Sequence, residues 1–380
     1  MWRQARPVIS WLRPGAANGR RAISTGEQNV VFSGIQPTGI PHLGNYAGAI
    51  RQWVQLQSEP VDRYKLIYSV VDLHAITLPQ QAKQLRRWKR ETLAALLAAG
   101  IDTERSTLFY QSSVPAHSEL MWILSCTASM GYLSRMTQWK RYSLMTLFPQ
   151  SKLSLSSDAT ILDDGAKASL KLGLFSYPVL QAADILVHRA THVPVGDDQR
   201  QHLEFARECV TNFNHTFGPH LVSPETITPP TRRVMSLQQP TQKMSKSAID
   251  PKSRILITDA PGEIHKKIMS ALTDSSNYVS YDAKNRPGVS NLLEILSLFD
   301  DQGRGPTQLA QSLSRASLKD LKQTVSNSVI QGLAGIRERY MDLISADEGR
   351  YLDFVEAQGA KRARQSAEKT MCIIREATGL

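Results

Sequence analysis

The chain has 380 residues, of which 41% are hydrophobic and 21% are charged. This balance excludes an intrinsically disordered chain, and the length suits two or three domains that each bury a core. Three widely separated cysteines, Cys126, Cys209 and Cys372, exclude a disulfide scaffold and a CxxC-type zinc or redox site. No apolar run approaches the ~20 residues that cross a bilayer, so we expect no membrane partner.

The chain is basic, with 45 Lys and Arg residues against 34 Asp and Glu residues and a formal net charge of +11. Such a charge is compatible with a polyanionic partner. Residues 1–26 contain five of the arginines, several hydroxyl and apolar side chains, and no acidic residue. This composition is typical of an organelle transit peptide, so we predict a transit peptide over 1–26; the alternative is a basic arm that binds RNA.

Strand-like and helix-like patterns alternate from Asn29 onward. The predicted strands are 29–35, 66–71, 107–111 and 192–195, and the predicted helices are 46–57, 80–99, 177–187 and 197–213. Such alternation indicates parallel strands joined by helical crossovers. We therefore predict an α/β fold with a doubly wound parallel sheet, a Rossmann-like nucleotide-binding catalytic domain.

Two stretches interrupt this alternation. Residues 143–169, rich in Ser, Leu and Asp, are predicted to be a long surface insertion, and 220–233, with three prolines, an extended connector. From about residue 264 only helical patterns remain, over 291–299, 307–313, 318–340 and 351–377. We therefore predict a catalytic domain over 27–263 and an α-helical C-terminal domain over 264–380.

The first predicted strand leads into a glycine-containing turn and then into the residues Pro41-His42-Leu43-Gly44-Asn45. A strand, a tight turn and a helix N-terminus form a phosphate-binding site in doubly wound folds. Gly44 would let an adenosine lie close to the helix, and His42 and Asn45 would donate to phosphate and ribose oxygens. The alternative is a helix cap with a surface histidine.

A second motif, Lys243-Met244-Ser245-Lys246-Ser247, follows the proline-rich connector. Two lysines three residues apart, among serines, form a cationic clamp suited to neutralising a departing pyrophosphate. Alone, this KMSKS sequence is also compatible with a solvated basic loop. Its pairing with the PHLGN sequence is the signature of class I aminoacyl-tRNA synthetases, which this chain resembles.

Five blocks in order are similar to tryptophanyl-tRNA synthetases: FSGIQPTG, VDLHAIT, MTQWK, YPVLQAADIL and VPVGDDQRQHLE. A tyrosyl enzyme shares the two signatures but is not expected to have GIQPTG or VPVGDDQ. The resemblance implies that Asp184 accepts the indole N–H of tryptophan. Gln181 stands where bacterial members usually have a methionine against the indole.

The resemblance also implies three residue sets. The catalytic set is His42, Asn45, Lys140, Lys243 and Lys246. The ATP-binding set is Gln36, Pro37, Thr38, Gly44, Asn45, Gly196, Asp197, Asp198, Val234, Lys243, Met244, Ser245, Lys246 and Ser247. The tryptophan-binding set is Phe32, Gly34, Gln36, Val71, His74, Tyr177, Gln181, Asp184, Val195 and Gln199.

The resemblance thus implies a homodimeric tryptophan–tRNA ligase that uses ATP and Mg²⁺ and acts on L-tryptophan and tRNA(Trp) in the mitochondrial matrix. Residues 264–380 would bind the tRNA anticodon. No protein metal site is expected, because the histidines lack metal-ligand spacing. The alternatives are a tyrosyl-tRNA synthetase, a small-molecule adenylyltransferase and a non-catalytic RNA-binding relative.

Overall fold

A computed structural model of the chain describes residues 28–136, 171–194, 196, 199–227, 233–246, 248–345 and 349–380. The predicted transit peptide and the predicted insertion over 143–169 lie outside these residues. Five of the predicted site residues also lie outside them: Lys140, Val195, Asp197, Asp198 and Ser247. No helix among the described residues is long and apolar enough to cross a bilayer.

Five parallel strands form one sheet in the order β3-β2-β1-β4-β5. The strands are β1 (Asn29–Ile35), β2 (Tyr64–Val70), β3 (Ser106–Tyr110), β4 (His192–Pro194) and β5 (Glu225–Ile227). The predicted doubly wound parallel sheet is confirmed. The strand order reverses at β1, and ligands of such sheets bind in the crevice beyond the carboxyl ends of the strands at this point.

Helices cover both faces of the sheet. They are α1 (Leu43–Asn45, a π-helical segment Tyr46–Ile50, and Arg51–Leu56), α2 (Asp72–Ala75), α3 (Ala82–Ala98), α4 (Ala116–Ser125), α5 (Met130–Arg135), α6 (Leu172–Leu186) and α7 (Arg200–Phe217). Along β2, Leu66 and Tyr68 pack with α1 and α3, whereas Ile67 packs on the other face with α4, α6 and α7. This burial on both sides explains why the central strands are almost continuously apolar.

Six further helices follow β5 in the part of the chain that the structure describes. They are α8 (Pro261–Met269), α9 (Pro287–Leu298), α10 (Pro306–Ser312), α11 (Leu318–Gly332), α12 (Ile336–Ser345) and α13 (Arg350–Thr378). This region is helical, as predicted, but its helix bounds differ from the predicted ones: α9 begins at Pro287 rather than at 291, and one predicted helix is divided in two. The single helix predicted over 318–340 is wrong, because Gly335 adopts a φ of +76°, in the left-handed region, and separates α11 from α12.

The predicted connector over 220–233 is also corrected by the structure, because it contains the edge strand β5. Glu225 pairs with His192 and Ile227 with Pro194. The strand is only three residues long and lies between prolines, so no alternation of apolar and polar residues reveals it in the sequence.

The last helix returns to the edge of the sheet. At Gly359 of α13, an added Cβ would overlap the carbonyl oxygen of Leu108 in β3. Arg90 of α3 also ties the beginning of α13, donating to Asp353 at 2.7 Å and to the carbonyl of Gly349 at 2.8 Å. The predicted domain boundary between residues 263 and 264 stays a prediction. The helix α13, which belongs to the predicted C-terminal domain, packs directly on the sheet of the predicted catalytic domain.

Gly359→Ala should lower the free energy of unfolding by about 3 kcal/mol or more, because the new methyl group can be accommodated only if α13 moves off β3. Denaturant unfolding measures the change. Gly262→Ala is the matched control, since a Cβ there meets no atom within 4 Å. Equal stability of the two variants would contradict the close packing of α13 on β3.

Candidate active site

A cavity of about 570 Å³ opens beyond the carboxyl ends of β1 and β2 and against α6. It lies at the reversal of strand order where the fold places ligands. Most of the described residues of the predicted sites line it: Phe32, Gly34, Gln36, Pro37, Thr38, Asn45, Val71, His74, Tyr177, Gln181, Asp184, Gln199 and Lys243. The sequence prediction missed further lining residues, including Trp88, Leu174 and Ile185.

The most buried charged group of the cavity wall is Asp184, which is only 1% exposed. Its Oδ2 lies 2.8 Å from Nε2 of His74. Its Oδ1 lies 2.7 Å from Nδ1 of His117 and accepts a hydrogen bond from Nε2 of Gln111 at 2.6 Å. Donors from α2, from the residues after β3 and from α4 therefore converge on one carboxylate in α6.

These donors determine the charge of Asp184. Burial alone raises the pKa of this carboxyl, but the hydrogen bonds of His117 and His74, and their positive charge when protonated, outweigh it and lower the pKa to about 2. Asp184 is therefore an anion across the physiological pH range. A buried anion of this kind is a strong acceptor for a ligand N–H group.

Sequence reasoning missed Gln111 and His117. Gln111 is the last residue of the strand predicted over 107–111, and its position at the carboxyl end of a parallel strand was the available signal. For His117, on α4, the sequence contains no comparable signal, because only the packing of α4 beside α6 brings it to Asp184.

Further polar groups line the cavity on the same helix as Asp184 and on the residue before α7. The hydroxyl of Tyr177 lies 2.8 Å from Nε2 of His202, and the ring of Tyr177 meets that of His74 edge-on with centroids 6.2 Å apart. Gln181 donates to the amide oxygen of Gln199 at 3.3 Å. The cavity thus has an anionic end at Asp184 and amide and hydroxyl groups elsewhere, an arrangement that suits a ligand with both a ring N–H and charged ends.

His42 and Asn45 cap the beginning of α1. Nδ1 of His42 accepts from the backbone N–H of Asn45 at 3.3 Å, and Oδ1 of Asn45 accepts from the backbone N–H of His42 at 3.1 Å. His42 therefore caps the helix, but it is buried rather than on the surface, and its role toward phosphate stays a prediction. Gly44 is needed because a Cβ there would lie 2.9 Å from Cε1 of His42.

The cap also defines which nitrogen of His42 can donate. Burial, with the charges of Lys246, Lys243 and Arg254, lowers the pKa of His42 to about 3, so its ring is neutral. Because Nδ1 accepts from a backbone N–H, the ring proton lies on Nε2. His42 does not line the cavity itself.

The second motif packs against the turn that follows β1. The backbone N–H of Met244 donates to the carbonyl of Val234 at 3.1 Å, and both side chains are buried. Lys243 lines the cavity. Lys246 instead donates to the carbonyl of Gly39 at 2.7 Å, which joins the second motif to the turn that precedes the first motif. Two other residues of the predicted ATP-binding set, Gly196 and Ser245, do not line the cavity, and Gly196 is exposed.

The family model of class I tRNA synthetases (W and Y) matches residues 24–334. The chain belongs to this family. It is 44% identical to the mitochondrial tryptophan–tRNA ligase of Schizosaccharomyces pombe, over 92% of this chain and 95% of the relative. It is 41% identical to the tryptophan–tRNA ligase of Caldanaerobacter subterraneus, over 92% and 98%.

A solved structure agrees with these relatives. It is the tryptophanyl-tRNA synthetase of Campylobacter jejuni in complex with ADP and tryptophan, which is 32% identical to this chain with a TM-score of 0.71. The match covers 92% of this chain and the whole of the C. jejuni chain. These relatives confirm the prediction of a tryptophanyl-tRNA synthetase over a tyrosyl enzyme, an adenylyltransferase or a non-catalytic relative. They leave the individual residue roles as predictions.

Lys246 should become reactive toward an acylating reagent with a midpoint near pH 7. Burial, aided by Arg254 and opposed by Glu91, lowers the pKa of its ammonium to about 7, and the neutral amine that exists above this pH is the reactive form. Competitive labelling read by mass spectrometry gives the midpoint. A profile like that of a free lysine, with a midpoint near 10.4, would contradict the buried position of Lys246.

Proposed function

We propose that this enzyme activates L-tryptophan with ATP to tryptophanyl-adenylate and transfers it to the 3′ end of tRNA(Trp) in mitochondrial translation. The observation that carries the proposal is the buried, ionised Asp184 in the wall of a cavity that is also lined by Asn45 and Lys243, one residue from each signature motif. The family membership and the tryptophan–tRNA ligase relatives support the same reaction.

Asp184 provides the selectivity for tryptophan. The indole N–H is a donor without an acceptor function, so it matches an acceptor-only carboxylate. A phenylalanine in the cavity would leave this acceptor without its partner, and smaller side chains would leave volume unfilled. A site built around a buried hydrogen bond rejects analogues that lack the donor by about 10⁴- to 10⁵-fold, so no editing step is required.

The activation step requires alignment rather than acid–base chemistry. The tryptophan carboxylate is already an anion at neutral pH and attacks the α-phosphate in line, so that pyrophosphate leaves. Lys243 would hold the phosphates from the cavity wall. Lys246 would exchange the Gly39 carbonyl for the leaving group, and Nε2–H of His42 would donate to a phosphate oxygen.

Mg²⁺ is expected to arrive on ATP. Within the described ranges, no group of three or more His, Cys, Asp or Glu side chains is placed to hold a metal ion. Magnesium commonly keeps several waters and binds through substrate phosphates, which requires no dedicated protein cage.

In the second step the ribose hydroxyl of the terminal tRNA adenosine attacks the activated carbonyl, and AMP leaves. Residues 264–380 are proposed to contact the anticodon.

The proposed location is the mitochondrial matrix. Residues 1–26 would direct import as a transit peptide and would then be removed. The S. pombe relative and the 44% identical relative of Saccharomyces cerevisiae are both named mitochondrial. N-terminal sequencing of the protein from mitochondria should show the loss of this segment, and an intact Met1 would contradict it.

We further propose a homodimer. Trp122 of α4 is 72% exposed and Met130 of α5 is 67% exposed, which places apolar side chains of two neighbouring helices at the surface. Leu124 points into the core instead. Sedimentation should give twice the mass of the chain.

Asp184→Asn should raise the KM for tryptophan by roughly 10- to 100-fold, since a charge-assisted hydrogen bond contributes about 1.5–3 kcal/mol. Tryptophan-dependent pyrophosphate exchange into ATP measures it, with tyrosine as the comparison substrate. Asp353→Asn, an exposed acid on α13, is the control and should behave as wild type. Exchange with tyrosine equal to that with tryptophan in the wild type would contradict the substrate assignment.

Lys246→Ala should slow pyrophosphate exchange by about 100- to 1,000-fold, the usual effect of removing one preorganised donor to a developing charge. Tryptophan affinity, measured by equilibrium binding, should stay within a few-fold of wild type. Lys252→Ala changes an exposed lysine nearby and serves as the control. Equal losses of exchange and of tryptophan affinity would exclude the leaving-group role.

A further inference from the structure

Two of the donors to Asp184 lie behind the cavity rather than in its wall. Gln111 and His117 are both 0% exposed, and neither lines the cavity, whereas Asp184 and His74 do. Both bind the same carboxylate oxygen, Oδ1. They therefore act on the ligand only through Asp184.

The orientation of the Gln111 amide is determined by its second partner. Its Oε1 accepts a hydrogen bond from the backbone N–H of Leu73 at 3.0 Å. A backbone N–H can only donate, so the oxygen of the amide must face Leu73 and its NH₂ group must face Asp184. Gln111 is therefore a fixed donor, which requires that Oδ1 of Asp184 accepts.

The proton of His117 is determined in a similar way. Its Nε2 is buried without a partner in the described part of the chain. The ring packs against Phe109, with centroids 5.7 Å apart, and against His188, at 5.2 Å. A buried N–H without an acceptor costs about 1–3 kcal/mol, so the ring proton lies on Nδ1 and is donated to Asp184.

Counting the lone pairs of the carboxylate shows what remains for a ligand. An ionised carboxylate has about four acceptor positions. Gln111 and His117 use both positions on Oδ1, and among the described residues Oδ2 has only His74. We propose that Gln111 and His117 are positioning residues for tryptophan selection, which occupy Oδ1 and leave Oδ2 with a single free position, beside His74, for the indole N–H.

This inference rests on the proposed function, and it assigns the selectivity to groups that never touch the substrate. Without either donor, Oδ1 has an unfilled position and the carboxylate can rotate about its bond to Cβ. The indole N–H then meets a less well oriented acceptor, whereas a ligand without this N–H loses nothing. The two residues should therefore affect selectivity more than turnover.

The test compares L-tryptophan with 3-benzothienyl-L-alanine, in which a sulfur atom replaces the indole N–H. The ratio of their kcat/KM values in pyrophosphate exchange reports the hydrogen bond alone. His117→Leu and Gln111→Met should each reduce this ratio by about tenfold or more, through a higher KM for tryptophan with kcat and the KM for ATP nearly unchanged. His117→Asn, which keeps an N–H near the position of Nδ1, should restore the ratio to within about threefold.

His265→Leu is the matched control, because this histidine bonds only the hydroxyl of Ser326 among the described residues, far along the chain in the helical region. Its ratio should equal that of wild type. Wild-type ratios in both His117→Leu and Gln111→Met would overturn the positioning role, as would failure of His117→Asn to restore the ratio. An absence of tryptophan-dependent exchange in the wild-type enzyme would instead overturn the proposed function, and this inference with it.

Discussion

The ionised carboxylate of Asp184 inside the protein is the constraint on which the rest of the site depends. A buried charge without partners is costly, so three separate parts of the chain supply donors to it. Those parts are α2, the residue after β3, and α4, which are brought together by the parallel register of β2 and β3 and by the packing of α4 on α6. The parallel sheet and the helices packed on it thus bring together the residues that keep Asp184 charged in the candidate pocket.

The other end of the site has the opposite electrostatic character. Burial, together with the positive charges of Lys246, Lys243 and Arg254, keeps His42 neutral at the beginning of α1. The same positive charges suit a triphosphate, whose oxygens would offset the cost of gathering them. Lys246 meanwhile donates to the carbonyl of Gly39, so one lysine of the second motif is bound to the turn between β1 and the first motif.

Local patterns predicted the elements that they determine. The strand β1 has the predicted bounds 29–35, and α3 stops before Gly100, which adopts a φ of +110°. The Asp184 position and most pocket residues followed from the family resemblance. Residues whose role depends on distant contacts were missed, because β5 is defined only by its pairing with β4, and His117 only by the approach of α4 to α6.

The packing of α13 illustrates the same limit. Nothing in the composition of 350–378 distinguishes a helix of an independent domain from one that lies on β3; the difference is a missing Cβ at Gly359. Sequence reasoning therefore predicts which segments are helical more reliably than which surfaces they meet.

A crystal structure of the enzyme with bound tryptophan tests the central claim most directly. The measured quantity is the distance between the indole nitrogen and Oδ2 of Asp184. The account predicts a hydrogen bond of about 2.9 Å, with Gln111 and His117 still bound to Oδ1. An indole nitrogen bound elsewhere, or a carboxylate turned away from the ring, would contradict it.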